Sequence, residues 1–509
     1  MSNVLPPAQR TMVTIALMSA TVMQVLDTTI VNVALPDMQG ELGASPDQIS
    51  WVLTSYMVAA AVVMLFTGFL TNHFGRKRYL QFSVVGFVIA SVLCGLARSL
   101  PEMVLFRLLQ GISGAALVPL SQAIMSEIYP PHERGKAMAL WGMGVMVGPI
   151  AGPTLGGYLT ETFDWRWTFL INLPVGILTS ILVWRTVPDA PRNPPRRFNW
   201  QSAVLLTMGL AGVQFVLDRG NDSDWFAGTD IRIGTVVALA GFIGFGLRTM
   251  YSKETPLFDP AIFKDRNFVG ASIAVSMLCL GLYGAMVLQP LMLEGLLGYP
   301  TMDTGMIMAP RGIANMIGMM WAGRLMAKQV DARLLVGAGF ILAAIGNLVC
   351  INYSLNTSKL WLMWPLLVQG FGAGLVMTPL SALALSTIAP RLTAEAAGLG
   401  SVIRTLGGGI GIALITTMYS RHTAFAWNQL GGGVTADNPA VNGYLSGVGM
   451  SATDPGAMSL IAQELDRQAR MVSIDDVFLL IGIIFLAMLP LLLLIRNNSN
   501  ASKHVSVAE

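Results

Sequence analysis

Long apolar runs separated by short polar stretches repeat along the whole chain. They fall near 12–35, 49–70, 79–97, 103–124, 137–159, 166–187, 200–216, 231–251, 268–293, 304–323, 333–353, 360–388, 394–418 and 475–495. Most reach the roughly 20 residues that carry a helix through a bilayer, and 200–216 is the shortest. The pattern predicts an all-α integral membrane protein with fourteen spans. The first run reads as a span, not a cleaved leader, because no small-residue cleavage site follows it.

The first run carries an acid in its interior. At about 100° per residue, Gln24, Asp27, Thr28 and Asn32 share an arc of roughly 140° on an otherwise apolar helix. A carboxylate inside a span is costly and marks an ion or substrate path. The fourth run repeats the design: Arg107, Gln110, Gly111, Gly114, Ser121 and Gln122 fall within an arc of about 120°. Arg107 lies close enough to the start of its run that snorkelling to the interface is the competing reading. Arg311, after Pro310, reads as interfacial. Arg404 precedes the flexible run Gly407-Gly408-Gly409.

Composition agrees with the spans. Of 509 residues, 54% are hydrophobic and 12% charged, with mean hydropathy +0.62. A soluble domain carries about 25% charged residues. A net charge of +3 is too small to point to nucleic acid. Cys94, Cys279 and Cys350 all lie in apolar runs, and the four histidines have no ligand spacing, so neither a disulfide framework nor a metal site is expected. Most of the 31 lysines and arginines fall on the side of the N-terminus when the runs alternate, including Arg76, Lys77, Arg78, Arg134, Lys136, Arg324, Lys328 and Lys503. The positive-inside rule then places both termini in the cytoplasm.

The chain repeats itself. LLQGISGAALVPLSQA at 108–123 returns as LVQGFGAGLVMTPLSALA at 367–384, with Gln110-Gly111 on Gln369-Gly370 and Pro119-Leu120-Ser121 on Pro379-Leu380-Ser381. The fourth and twelfth spans therefore correspond, which makes the seventh and eighth an insertion between two six-span halves. Those halves cover 10–190 and 256–496. The insertion with its linkers covers 191–255; the C-terminal half includes a long outer loop at 421–473, and a cytoplasmic tail follows at 497–509. The two inserted spans read as peripheral and poor in buried polar groups. Repeated halves around a central site are a transporter architecture.

Two further stretches stand out. GFLTNHFGRKRYL, from Gly68 to Leu80, places Gly68, Gly75 and Arg76 at a tight basic turn. In the fifth span Gly144, Gly148, Gly152 and Gly156 recur every four residues, one small-residue face for close packing. Pro149 and Pro153 remove backbone donors there and should bend or loosen the helix.

Together these motifs resemble the major facilitator superfamily, specifically its 14-helix drug:proton antiporter branch. Gly68–Leu80 is similar to the family's loop motif, Arg107-x-x-Gln110-Gly111 to its fourth-helix motif, Gly144–Gly157 to its antiporter signature, and LDTTIVNVALP at 26–36 to the first-helix motif of the branch. The family's loop carries an acid where Asn72 stands, which argues against a charge-pair latch in this loop. The resemblance implies proton-driven export of hydrophobic or cationic compounds. It also implies a periplasmic adaptor and an outer-membrane channel as partners, with the loop 421–473 as a docking segment. Within that loop Leu460, Ile461, Leu465 and Val472 are spaced for an apolar helix face.

No G-x-x-x-x-G-K-[ST] pattern occurs, so the expected energy source is an ion or substrate gradient and no cofactor is expected. Asp27 and Arg107 are the expected proton-coupling pair, since burial disfavours the charged acid and a nearby arginine favours it. Helical rise puts them roughly 12 and 6 Å below the outer surface, within reach of one arginine side chain. Gln24, Asn32, Gln110, Gln289, Asn315 and Arg404 are the candidate substrate contacts. A transporter of one nutrient or metabolite, a channel and a membrane-embedded enzyme are the alternatives. A direction assay, counterflow, and the lack of any nucleophile or metal cluster separate them.

Overall fold

The computed structural model describes residues 6–189, 199–221, 223–251, 257–435, 438–451, 454 and 456–494. The tail 497–509 with Lys503, and the basic stretch holding Arg192, Arg196 and Arg197, lie outside the described residues. Every apolar run forms a helix. In chain order these are α1 (Pro7–Glu41), α2 (Trp51–Leu65, bent by 61° into Thr67–Phe74), α3 (Arg76–Leu96), α4 (Leu100–Ile128), α5 (Pro131–Thr162), α6 (Trp167–Thr186) and α7 (Trp200–Arg219). They continue as α8 (Thr229–Tyr251), α9 (Arg266–Leu296), α10 (Thr301–Ala327), α11 (Ala332–Cys350), α12 (Lys359–Ser386), α13 (Pro390–Gly431) and α14 (Ala457–Leu492). Among the described residues, 12 of these helices are long and apolar enough to cross a membrane, or 13 with the bent α2. The remaining helix, α10, is 27 residues long but carries Asp303, Arg311 and Arg324. The protein is a multi-pass, all-helical membrane protein.

Helices α1–α6 pack on one another, with α1 between α5 and α6, and α4 against α2 and α3. Helices α9–α14 do the same, with α12 between α10 and α11, and α13 between α9 and α14. The groups meet along α5 with α10 and where α13 crosses α2 and α4. At the end that bears Arg76 they are tied by hydrogen bonds. Arg76 pairs with Glu127 and donates to the Pro390 carbonyl at 3.0 Å, and Arg134 donates to the Ser386 carbonyl at 3.5 Å.

Two glycines are required at this end. Gly75, between α2 and α3, has φ +85°, a conformation L side chains rarely adopt. A Cβ at Gly68 would lie 2.5 Å from the Cβ of Glu395, so the two groups touch backbone to side chain there. Despite Asn72, charge pairing does occur at this turn: Arg76 finds Glu127 on α4. Glu395 in the first turn of α13 supplies a second buried acid, and it accepts the Asp259 backbone N–H at 2.6 Å.

Helix α5 stays helical through Pro149 and Pro153. Two expectations change. Helix α8 is peripheral, with much of its surface open, but α7 wedges against both α2 and α13 and buries Gln214 and Ser202. The outer loop is largely helical: α13 extends to Gly431, a short helix covers Pro439–Gly447 and α14 starts at Ala457. In α14, Leu460, Ile461 and Leu465 are half-buried, whereas Val472 is exposed and Ala469, Met471 and Ser473 hold the contact face instead.

Candidate proton-coupling and substrate site

Asp27 and Arg107 meet. Both are 0% exposed, and Arg107 Nη1 donates to Asp27 Oδ2 at 2.8 Å. Snorkelling is thereby excluded for Arg107. Its Nε donates to the Val52 carbonyl at 3.0 Å, and its guanidinium lies 4.3 Å from the Tyr56 ring centroid. The other carboxylate oxygen accepts from Gln110 Nε2 at 2.8 Å and Asn172 Nδ2 at 2.7 Å. Ser91 Oγ accepts from both amides, at 3.1 and 2.8 Å, and donates to the Phe169 carbonyl at 3.1 Å. Gln110 Oε1 closes the ring by accepting from Arg107 Nη1 at 2.7 Å. Helices α1, α2, α3, α4 and α6 each contribute a member. A buried charge pair is tolerable only when its groups find partners, and here both carboxylate oxygens and the Arg107 Nε and Nη1 do.

Asn172, Ser91 and Tyr56 were not among the expected site residues. Each is one polar or aromatic group within an apolar run, without spacing to flag it. The run 166–187 did carry a signal, because Asn172 interrupts FLINLPVGIL. Gln24 is buried beside this cluster and accepts the Val118 N–H at 3.1 Å. Asn32 is exposed and donates to the Thr28 carbonyl at 3.2 Å, so the α1 stripe divides into a buried part and an open part.

The glycines of α5 receive α1. A Cβ at Gly148 would lie 2.5 Å from Val25 Cγ1, and one at Gly152 2.1 Å from Thr29 Oγ1. Gly144 and Gly156 face Met18 and the Ile30 carbonyl in the same way. Thr29 Oγ1 donates to the Gly148 carbonyl at 3.0 Å. The small-residue face thus sets the depth and rotation of the helix that bears Asp27.

In the second group Arg311 is buried, not interfacial. It donates to Gln289 Oε1 at 2.9 Å and to the Leu282 carbonyl at 3.0 Å. Asn315 is buried one turn further along α10. Arg404 donates to Ser401 Oγ at 2.9 Å and lies 5.2 Å from the ring of Trp141, a cation–π contact from α13 to α5. Gln289, Asn315 and Arg404 line different helices and share no hydrogen bond among the described residues. The internal repeat is preserved in detail: Cys94 Sγ contacts Gln110 Oε1 at 3.7 Å, and Gln369 Nε2 contacts Cys350 Sγ at 3.3 Å.

Comparison with known proteins gives the same framework. Residues 17–412 match the model of the Major Facilitator Superfamily. The chain is 37% identical over 493 residues to the "Multidrug export protein EmrB" of Escherichia coli (strain K12), covering 95% of each. It is 35% identical over 493 residues to the "Fatty acid resistance protein FarB" of Neisseria gonorrhoeae, covering 95% of this chain and 96% of that protein. Its fold is similar to the crystal structure of the human organic anion transporter MFSD10, with TM-score 0.60 at 16% identity, covering 94% of this chain and 100% of that one.

Proposed function

The chain belongs to the major facilitator superfamily, and from that premise we propose that it is a proton-driven exporter of hydrophobic or amphipathic compounds across the cytoplasmic membrane. The observation that carries the proposal is the sealed Asp27–Arg107 pair, an exchangeable acid held by a cation on a different helix. The names of its relatives, which refer to multidrug export and fatty acid resistance, support the substrate class. Susceptibility of an export-deficient cell expressing this chain, profiled against a compound panel, tests it. Protection confined to one nutrient analogue, or none, overturns the multidrug reading.

In this mechanism α10 completes fourteen spans, and residues 10–190 and 256–496 rock as halves about the seams where α5 meets α10 and α13 crosses α2 and α4. Arg107 on Asp27 favours the ionised acid. Movement that separates α1 from α4 removes the cation, and burial then favours a proton on Asp27. Reunion expels the proton. Substrate biases the step by competing for the acid or by moving the same helices.

Both termini are cytoplasmic in this reading. The native cysteines are all buried, so impermeant thiol reagents have little background. Cysteines introduced at Lys77 and Lys503 should stay unlabelled in intact cells and label after permeabilisation. Labelling of either in intact cells reverses the topology.

A periplasmic adaptor and an outer-membrane channel fit the projecting end. Helix α13 proper has 39 residues, about 58 Å of helix against a hydrocarbon core of about 30 Å. Its projecting part and the short helix beyond expose Phe425, Trp427 and Tyr444, and Val448 just after that helix is exposed too. Deleting 430–455 should reduce adaptor co-purification and resistance together while the membrane helices remain folded. Unchanged co-purification removes this stretch from the docking surface.

A further inference from the structure

The last turn of helix α7 holds a further acid, Asp218, outside the Asp27 cluster. Gln214 is 1% exposed, and its Nε2 donates to Asp218 Oδ1 at 3.2 Å. The two remaining acceptors, Gln214 Oε1 and Asp218 Oδ2, are both buried and have no donor among the described residues. Thr54 of α2 also gives the carboxyl a side-chain hydrogen bond, which still leaves Oδ2 without a donor, and the Gln214 amide lies 3.8 Å from where a Cβ on Gly409 of α13 would stand. The pair therefore occupies the seam between the two helical groups.

Two buried acceptors, on side chains already joined by one hydrogen bond, are costly if both stay unpaired. One proton resolves both. A carboxylic acid O–H on Oδ2 donates to Oε1 while the amide N–H donates to Oδ1, the doubly bonded ring that an acid and a primary amide form. We propose that Asp218 is a second proton-binding site of this protein, protonated in the conformation described and paired with Gln214 as that ring.

Charges around it do not replace the proton. Arg219, its neighbour in sequence, is the cation whose field favours the ionised form, but its guanidinium donates to Ser50 Oγ at 3.4 Å. On α2, Tyr56 packs on Arg107. On α13, Arg404 lies on Trp141 and His422 faces Asp476 at 3.1 Å; Arg421 is exposed further along. On α8, Asp230 accepts from Ser223 Oγ at 2.9 Å, Arg232 donates to Thr229 Oγ1 at 3.0 Å and Arg248 to Asn199 Oδ1 at 3.4 Å. Opening the α2–α13 seam would admit water to Asp218 and release its proton. That link to transport rests on the exporter reading; the protonation does not.

Infrared difference spectroscopy of the purified full chain in lipid bilayers, titrated with acid and base, tests the site directly. The wild type should show a protonated-carboxyl C=O stretch at neutral pH that is absent in Asp218→Asn and kept in Asp27→Asn. Gln214→Leu should move that band to higher frequency, because the carbonyl loses its hydrogen bond. An Asp218→Asn spectrum that keeps every protonated-carboxyl band overturns the proposal. Should Asp218→Asn not fold, an unshifted band in Gln214→Leu overturns it equally. Absence of proton-driven export by the wild type, with the Asp218 band intact, would overturn the exporter reading alone.

Discussion

Asp27→Asn should reduce pH-gradient-driven export of a cationic dye such as ethidium from proteoliposomes to the level of empty vesicles. The asparagine keeps an oxygen for Gln110 and Asn172 to donate to, but it cannot cycle a proton. It also leaves Arg107 charged and without its anion. Leaving one member of a buried pair uncompensated costs about 3–5 kcal/mol. Here the Val52 carbonyl, Gln110 and the Tyr56 ring still hold the guanidinium, so the lower end of that range is expected. The thermal midpoint should fall while ethidium still binds. Removing the stranded charge in Asp27→Asn/Arg107→Leu should recover part of the midpoint without recovering export. Full gradient-driven export by Asp27→Asn ends the coupling role. A double variant that recovers both stability and export would reduce the pair to a structural tie between α1 and α4.

Gly148→Val is expected to be nearly as damaging, although it removes no polar group. Its Cβ would lie 2.5 Å from Val25 Cγ1 and 2.8 Å from both the Val25 carbonyl carbon and its oxygen. Backbone cannot give way as a flexible side chain can, so α1 must shift away from α5. Overpacking of this kind costs about 1–3 kcal/mol. Asp27 lies two residues from the contact, so the shift also misplaces the acid relative to Arg107. Export should drop at least about tenfold, since misplacement of about 1 Å can cost 10²-fold in positioned chemistry. Gly157→Val is the control, because nothing lies within 4 Å of a Cβ there. Wild-type export by Gly148→Val, or equal loss in both variants, would remove the packing argument.

The parts of this protein governed by period and length were legible in the sequence. Apolar runs located every long helix, and the four-residue glycine spacing located the face that receives α1. Depth along two helices sufficed to bring Asp27 to Arg107, because helical rise is constant. Single polar residues in apolar runs were not legible. Asn172 and Ser91 obey no period, and their partners come from helices distant in the chain. Arg311 was misread for a related reason: proximity to a helix end says nothing about which neighbour covers it, and Gln289 does. The absent acid at Asn72 misled because charge at the basic turn can come from another helix. Glu127 is 51 residues from Arg76.

Helix α13 has the proportions of a lever. It crosses the seam near its first turns, where Gly398 approaches the Met64 carbonyl, and it continues to Gly431 without a proline. The tip is therefore about 50 Å from the fulcrum. Rotations of order 10° accompany many domain rearrangements, and over that radius 10° sweeps the tip by roughly 9 Å. Ångström-scale adjustments around a buried carboxylate would thus be magnified mechanically into a displacement wide enough for another protein to sense at a distance.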